Sequence, residues 1–236
     1  MKRLTVQQAE ILASKFRSKI GIGQPEPIEV KTLLRRLQVT IMYRPLSNDS
    51  FGISCKSSSG KMFMLVNSNT TLGRQNFTIA HELYHLYFDE NPTPHMCGGG
   101  TVTEEKNADM FASALLLPRE GVYSMLSTTE ILQHDVNLAT VLRIEQMFQV
   151  SRSMLLIRLK DIGVISESVR LKLLNLPITE SAIKYGYDKS LYEKGNNGVI
   201  IGDFGEKARI LFEKGKISEG HYMELLNMIS DAREEN

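Results

Sequence analysis

The chain has 236 residues, of which 42% are hydrophobic and 23% are charged, and its 28 basic and 27 acidic residues leave a formal net charge of +1. Enough apolar material is present to bury a core, which excludes disorder as the main state. The balanced charge excludes a global field that would attract nucleic acid or a membrane surface, and two cysteines exclude a disulfide scaffold and indicate a reducing compartment.

The first half of the chain predicts two helices, three strands and a longer helix. Residues 1–20 favour an amphipathic helix over a signal peptide, because Gln7, Gln8 and Glu10 interrupt the apolar positions. The sequence predicts the second helix at IEVKTLLRRLQV and three antiparallel strands at VTIMYRPL, FGISCK and KMFMLVN. The longer helix is predicted at residues 74–88. Since no apolar run approaches the ~20 residues of a membrane span, we expect a cytoplasmic protein without a membrane partner.

The second half of the chain predicts mainly helices. A loop is expected over residues 91–100, because the prolines and the run of glycines there cannot continue a helix. Another helix follows over residues 104–117, and residues 120–165 predict several short helices. The chain is expected to close with a helical pair, the last helix being capped by Ser218.

The strongest chemical pattern is HELYH, which places His81 and His85 four residues apart in the predicted helix 74–88. Side chains at this spacing share one helix face, about 5–6 Å apart at Cβ, so the two imidazoles can bind one tetrahedral ion. Glu82 follows the first histidine, where its carboxylate can reach a water molecule that the metal activates. The alternative is a surface helix with incidental histidines, which the surrounding sequence disfavours.

A catalytic zinc site needs a third protein ligand from another element. Glu105 lies 20 residues after His85 on the next predicted helix, and Asp109 follows four residues later on the same face. The pair suggests that Glu105 binds the metal while Asp109 accepts a hydrogen bond from a ligand histidine. The alternative role for Glu105 is that of a solvated acid at a helix N-terminus, which suits Glu104 better.

Cys97 lies 12 residues after His85 and eight before Glu105, between the two metal-binding helices. If that loop folds inward, the thiolate becomes an inhibitory fourth ligand and the enzyme is latent. The alternative is a small buried hydrophobe, which is the commoner role of a free cysteine.

The segments FTIAHELYHLYF and EEKNADMFASALLLP together resemble the ImmA/IrrE family of zinc-dependent, gluzincin-like metallopeptidases. The register of the resemblance puts Glu105 at the ligand position. Gly52, Asn67 and Arg74 also fit the family pattern, whereas Tyr84 stands where many members have glycine.

The resemblance covers residues 25–120 well and implies an α+β fold. In this fold a zincin-like core packs the HExxH helix against a small, mostly antiparallel sheet, and a helical C-terminal region follows. We expect a metallopeptidase core with N-terminal helices at residues 1–120 and a helical, helix-turn-helix-like segment at 121–165. A mostly helical region at 166–236 is expected to recognise the substrate or a signal.

The resemblance further implies a zinc-dependent endopeptidase, with His81, His85 and Glu105 as ligands and Glu82 as the general base. Manganese or iron could bind the same residues. The implied substrate is a helix-turn-helix (XRE-like) transcriptional repressor or an antitoxin encoded nearby. Its cleavage would relieve repression in a mobile-element, stress or defence system, and a nucleic acid could be the activating signal.

Two non-proteolytic functions are also considered. Residues 147–165 resemble the second half of a helix-turn-helix. Residues 143–160 carry four basic residues against one acidic residue, which would allow weak phosphate contacts. The protein could then be a metal-stabilised regulator that binds DNA, or a toxin–antitoxin partner that binds the repressor uncut. A small packing module is the plainer interpretation of the segment, and Glu82 favours the enzyme because a purely structural metal site needs no general base.

Overall fold

The computed structural model describes residues 2–47, 50–89, 95–96 and 102–234 and confirms the α+β fold class. Its helices are α1 (Val6–Lys19), α2 (Val30–Arg36), α3 (Leu72–Phe88), α4 (Val102–Leu116), α5 (Arg119–Ser124), α6 (Thr128–Gln133), α7 (Leu138–Phe148), α8 (Arg152–Asp161), α9 (Glu167–Leu174), α10 (Ile178–Lys184), α11 (Phe204–Glu213) and α12 (Glu219–Glu234). Its strands are β1 (Val39–Arg44), β2 (Gly52–Lys56), β3 (Met62–Asn67), β4 (His95–Met96) and β5 (Ile200–Ile201). None of these helices combines the length and the hydropathy of a membrane span.

The strands form one mixed sheet in the order β4-β2-β3-β1-β5. Strands β2 and β3 are antiparallel as predicted, but the antiparallel prediction is wrong for β1, which runs parallel to β3. The reason is that the β2–β3 hairpin folds back so that β3 lies between β2 and β1. The loop prediction for residues 91–100 is wrong at His95–Met96, which pair with β2 as an edge strand. At the other edge Ile200 and Ile201 pair with Met42 and Ile41 of β1.

Asn67 holds the connection between β1 and β2, residues 45–51. Its side-chain amide donates to the carbonyls of Ser47 and Ser50 at 3.1 and 2.8 Å, and its Oδ1 accepts the N–H of Leu46 at 3.0 Å. One side chain at the end of β3 therefore fixes the loop that leads into β2.

Helix α3 lies against β2 and β3, and Gly52 permits the close approach. A Cβ atom at this position would stand 2.6 Å from Thr78 Cγ2 and 3.3 Å from Glu82 Oε1. Both atoms belong to α3, so a larger residue at the start of β2 would push the helix away from the sheet.

Helices α1, α3 and α4 share an aromatic cluster. The ring of Tyr84 lies 5.5 Å from that of Phe88 and 5.7 Å from that of Phe111, and Phe16 of α1 lies 5.7 Å from Phe111. Tyr84 is only 2% exposed, and burial raises the pKa of its hydroxyl. Tyr84, which stands where many family members have glycine, is therefore part of the core.

The helix-turn-helix-like segment joins the same core. Phe148, Val150, Met154 and Leu155 are all buried as predicted, and the Ser151 side chain caps α8. The helices of this segment therefore pack continuously with those that precede them.

Two of the four basic residues between positions 143 and 160 are bound inside the protein. Arg152 Nε lies 2.5 Å from Glu145 Oε1, and both side chains are fully buried. Arg158, 2% exposed, donates to the carbonyl of Leu117 and to the carboxylate of Glu10. These two arginines cannot reach a phosphate at the surface.

Tyr192 completes the buried ion pair, because its hydroxyl donates to Glu145 Oε2 at 2.7 Å. Burial and the charge of Glu145 both raise the pKa of Tyr192, so the hydroxyl stays protonated as a donor. The segment between α10 and β5 is thereby linked to the pair on α7 and α8.

We expect Arg152→Ala to lower the free energy of unfolding by about 3–5 kcal/mol, because it leaves the Glu145 carboxylate buried without its charge partner. Urea denaturation followed by circular dichroism measures the loss. Arg209→Ala is the control, since Arg209 forms an exposed pair with Glu213 and its removal should leave the midpoint nearly unchanged. Equal midpoints for the two variants would contradict the prediction.

Candidate metal centre

Helices α3 and α4 pack along each other and bring three potential ligands to one point. The ligand atoms of His81, His85 and Glu105 all lie within 4.8 Å of one another. His81 Nε2 lies 3.2 Å from His85 Nε2 and 3.4 Å from Glu105 Oε2. The sequence proposed these three residues as ligands, and the fold assembles them from two helices; their binding of a metal stays a prediction.

Each histidine is held by a carboxylate on its other ring nitrogen. Asp109 Oδ1 lies 2.9 Å from His81 Nδ1, as the sequence predicted, and Asp89 Oδ2 lies 2.6 Å from His85 Nδ1. A carboxylate behind Nδ1 suits the tautomer that carries its proton there, which leaves Nε2 as the nitrogen that can bind a metal. The Nε2 lone pairs then both face the point shared with Glu105.

Asp89 is a candidate site residue that the sequence analysis missed. It directly follows α3, four positions after His85. That spacing was the available signal, because side chains four apart on a helix are neighbours.

The geometry fits a tetrahedral cation. A zinc ion with bonds of about 2.0–2.2 Å to nitrogen and oxygen separates the ligand atoms of a tetrahedral site by about 3.3–3.6 Å. The separations of 3.2 and 3.4 Å from His81 Nε2 to the other two ligand atoms are close to this range.

Glu82 lies beside this centre and is buried. Its side chain is 0% exposed and its carboxylate faces β2 at Gly52. The predicted general base is therefore shielded from bulk water on the side of the sheet.

The predicted fourth ligand, Cys97, lies outside the described residues. Its role as an inhibitory ligand stays a prediction.

Comparison with known proteins places the chain among peptidase-related sequences. The family model Peptidase_M78, described as the IrrE N-terminal-like domain, matches residues 34–160, more than half of the chain. No curated protein matches the sequence. A solved structure of a Mycobacterium tuberculosis transcriptional regulator is similar over 66% of this chain and 47% of its own, with 18% identity and a TM-score of 0.45. The chain thus spans about half the length of that regulator.

We expect Glu105→Gln to weaken zinc binding, because a direct ligand loses its charge. The loss of affinity should exceed the about 10–100-fold loss that is typical when a residue hydrogen-bonded to a ligand is removed. Competition with a chromogenic chelator measures the affinity. Glu104→Gln is the matched control, since it removes the same charge from the neighbouring position of the same helix turn. A larger loss in Glu104→Gln than in Glu105→Gln would show that the wrong acid was assigned.

Proposed function

Because the chain belongs to the Peptidase_M78 family, through an IrrE N-terminal-like domain at residues 34–160, we propose that it is a zinc-dependent endopeptidase. The proposed ligands are His81, His85 and Glu105, and the proposed general base is Glu82. Manganese or iron could replace zinc in the same set of ligands.

One observation carries the proposal: both imidazoles turn Nε2 towards Glu105 while a carboxylate holds each Nδ1. Such carboxylate–histidine pairs fix the tautomer and the ring orientation that a metal ligand needs. Among the described residues the candidate ligands are two histidines and one carboxylate, the three-ligand set of catalytic zinc sites, whereas structural sites are closed by four ligands.

The chemistry divides between the metal and Glu82. Bound at this centre, zinc lowers the pKa of water to about 7 and polarises a peptide carbonyl. Glu82 takes the proton of the attacking water onto a carboxylate oxygen and delivers it to the amide nitrogen of the departing fragment. Asp89 and Asp109 keep their hydrogen bonds to the imidazoles, so the two rings hold their orientation.

We propose a helix-turn-helix (XRE-like) repressor or an antitoxin encoded nearby as the substrate, which is the class that the family resemblance implies. Cleavage would relieve repression in a mobile-element, stress or defence system. A nucleic acid is the proposed activating signal.

The DNA-binding alternative loses support from the structure. It depended on basic side chains in the segment 143–160, but Arg152 and Arg158 are buried and paired. Of the other two, Arg143 donates to the carbonyl of Met125 and Lys160 pairs with Glu167.

We expect Glu82→Gln to slow cleavage of the helix-turn-helix protein by about 10²–10⁴-fold while zinc stays bound, because only the proton-transfer group is lost. Intact mass spectrometry of the incubated pair measures cleavage, and the two fragment masses should add up to the substrate plus one water. Metal content is measured on the same samples.

A Glu82→Gln protein that cuts at the wild-type rate would contradict the assignment of the base. The zinc-loaded wild type and the Cys97→Ser protein are each tested with and without single-stranded DNA. If the substrate stays uncleaved in all four samples, the result favours a protein that only binds its partner.

A further inference from the structure

A cavity of about 420 Å³ lies next to the candidate metal centre, where α3, α4 and α8 meet. Its apolar wall is formed by Phe77, Met110, Met154 and Ile157. The volume falls in the range of small-ligand pockets and exceeds that of a single amino-acid side chain.

The cavity adjoins the metal centre behind His81. Asp109 lines the cavity, and its carboxylate binds His81 Nδ1 at 2.9 Å, on the side of the ring away from Nε2. The ring of Phe77, in the same wall, has its centroid 6.3 Å from that of His81. Residues of a peptide held at the histidines would therefore lie near this cavity.

Arg74 marks the far end of the cavity. It precedes His81 by seven residues on α3, which corresponds to about 10 Å along the helix axis at 1.5 Å per residue. An extended peptide advances about 3.3 Å per residue. The cavity is therefore reached by side chains within about three residues of the peptide bond at the metal centre.

The Arg74 side chain is held ready to donate. Its guanidinium carbon lies 4.1 Å from the ring centroid of Phe51 and 5.4 Å from that of Phe77. Its Nε is buried and has no hydrogen-bond acceptor within the described part of the chain. Arg74 also lines the cavity, so the terminal N–H groups of its guanidinium can donate to a carbonyl of a bound peptide.

Helix α8 is fixed against α3 by Gly73. A Cβ atom there would stand 2.7 Å from the backbone nitrogen of Ser151, just before α8 begins. This contact turns the outer face of α8 towards the cavity, where Ile157 is 46% exposed. An exposed isoleucine at the mouth of an apolar cavity is suited to contact a bound apolar group.

We propose that this cavity is a substrate subsite that takes one large apolar side chain, such as leucine, methionine or phenylalanine, within three residues of the cleaved bond. Ile157 determines its specificity and Arg74 binds the peptide backbone. The inference rests on the proposed peptidase function and names a selective site for it. The segment 121–165 then contacts a peptide instead of DNA.

The test replaces Ile157 by a charge. Ile157→Asp would add a third carboxylate to those of Asp109 and Asp161 in the cavity wall. We expect kcat/KM for peptides with the apolar side chain to fall by about tenfold or more, and the preference at that position to move towards lysine or arginine. The probe is a synthetic peptide library randomised at its central positions, with products identified by mass spectrometry.

Ile183→Asp is the matched control, because this isoleucine of α10 is 56% exposed and lies outside the cavity. It should keep the wild-type preference. Ile157→Ala, which adds no charge, should only reduce the preference for large over small apolar side chains.

Binding of the same library to the Glu82→Gln protein separates the subsite from the chemistry. Selective binding of apolar peptides that Ile157→Asp reverses would support the subsite. If neither the wild type nor Cys97→Ser, each with and without single-stranded DNA, cleaved any peptide, the subsite would stand and the peptidase would be contradicted. The subsite would be overturned if the Ile157→Asp and Ile183→Asp proteins had the same side-chain preference. It would also be overturned if no peptide of the library were bound or cleaved.

Discussion

The packing of α3 along α4 is the constraint on which the candidate centre depends. The two helices supply ligands that are 20 residues apart in the chain, and each contributes or neighbours an acid that holds a histidine ring. The helix pair also explains why Gly52 is needed, because α3 must lie close to β2 on its other side. Asn67 in turn fixes the loop that positions Gly52. Contacts with the sheet thus position α3, and α3 positions the two histidines of the candidate centre.

The helix-turn-helix-like segment shows how a familiar pattern can acquire another role. Arg152 and Arg158 form internal ion pairs, of which the one between Arg152 and Glu145 is the more buried. Burying two charges is costly unless the pair is well hydrogen-bonded, and Tyr192 supplies a further donor to it. Those bonds fix α7 against α8, so the outer face of α8 is held in place beside the cavity.

Much of the site was accessible from the sequence, because it depends on helical periodicity. The spacing of His81 and His85 and the four-residue step from Glu105 to Asp109 are local properties of helices, and the fold preserves both. Choosing between Glu104 and Glu105 needed the family register, since both acids suit the first turn of a helix.

Apart from Asp89, the parts that sequence reasoning missed are non-local. The parallel pairing of β1 with β3 follows from the insertion of a hairpin, which alternation of apolar residues cannot reveal. The two-residue strand His95–Met96 is too short to carry a period, and its partner strand defines it. The cavity beside Phe77 joins three helices from distant parts of the chain, so no single segment of the sequence carries a signal for it.

The pairing of β5 with β1 has a consequence for the order in which the chain is made. The ligands and the acids behind them are complete once residue 109 has been synthesised, but β1 gains its second neighbour only when Ile200 and Ile201 emerge. Until then β1 is an open strand edge, and open edges invite pairing with other chains. A nascent chain therefore contains all the candidate ligands while this edge of its sheet is still unpaired, and the edge is covered only when β5 has been made.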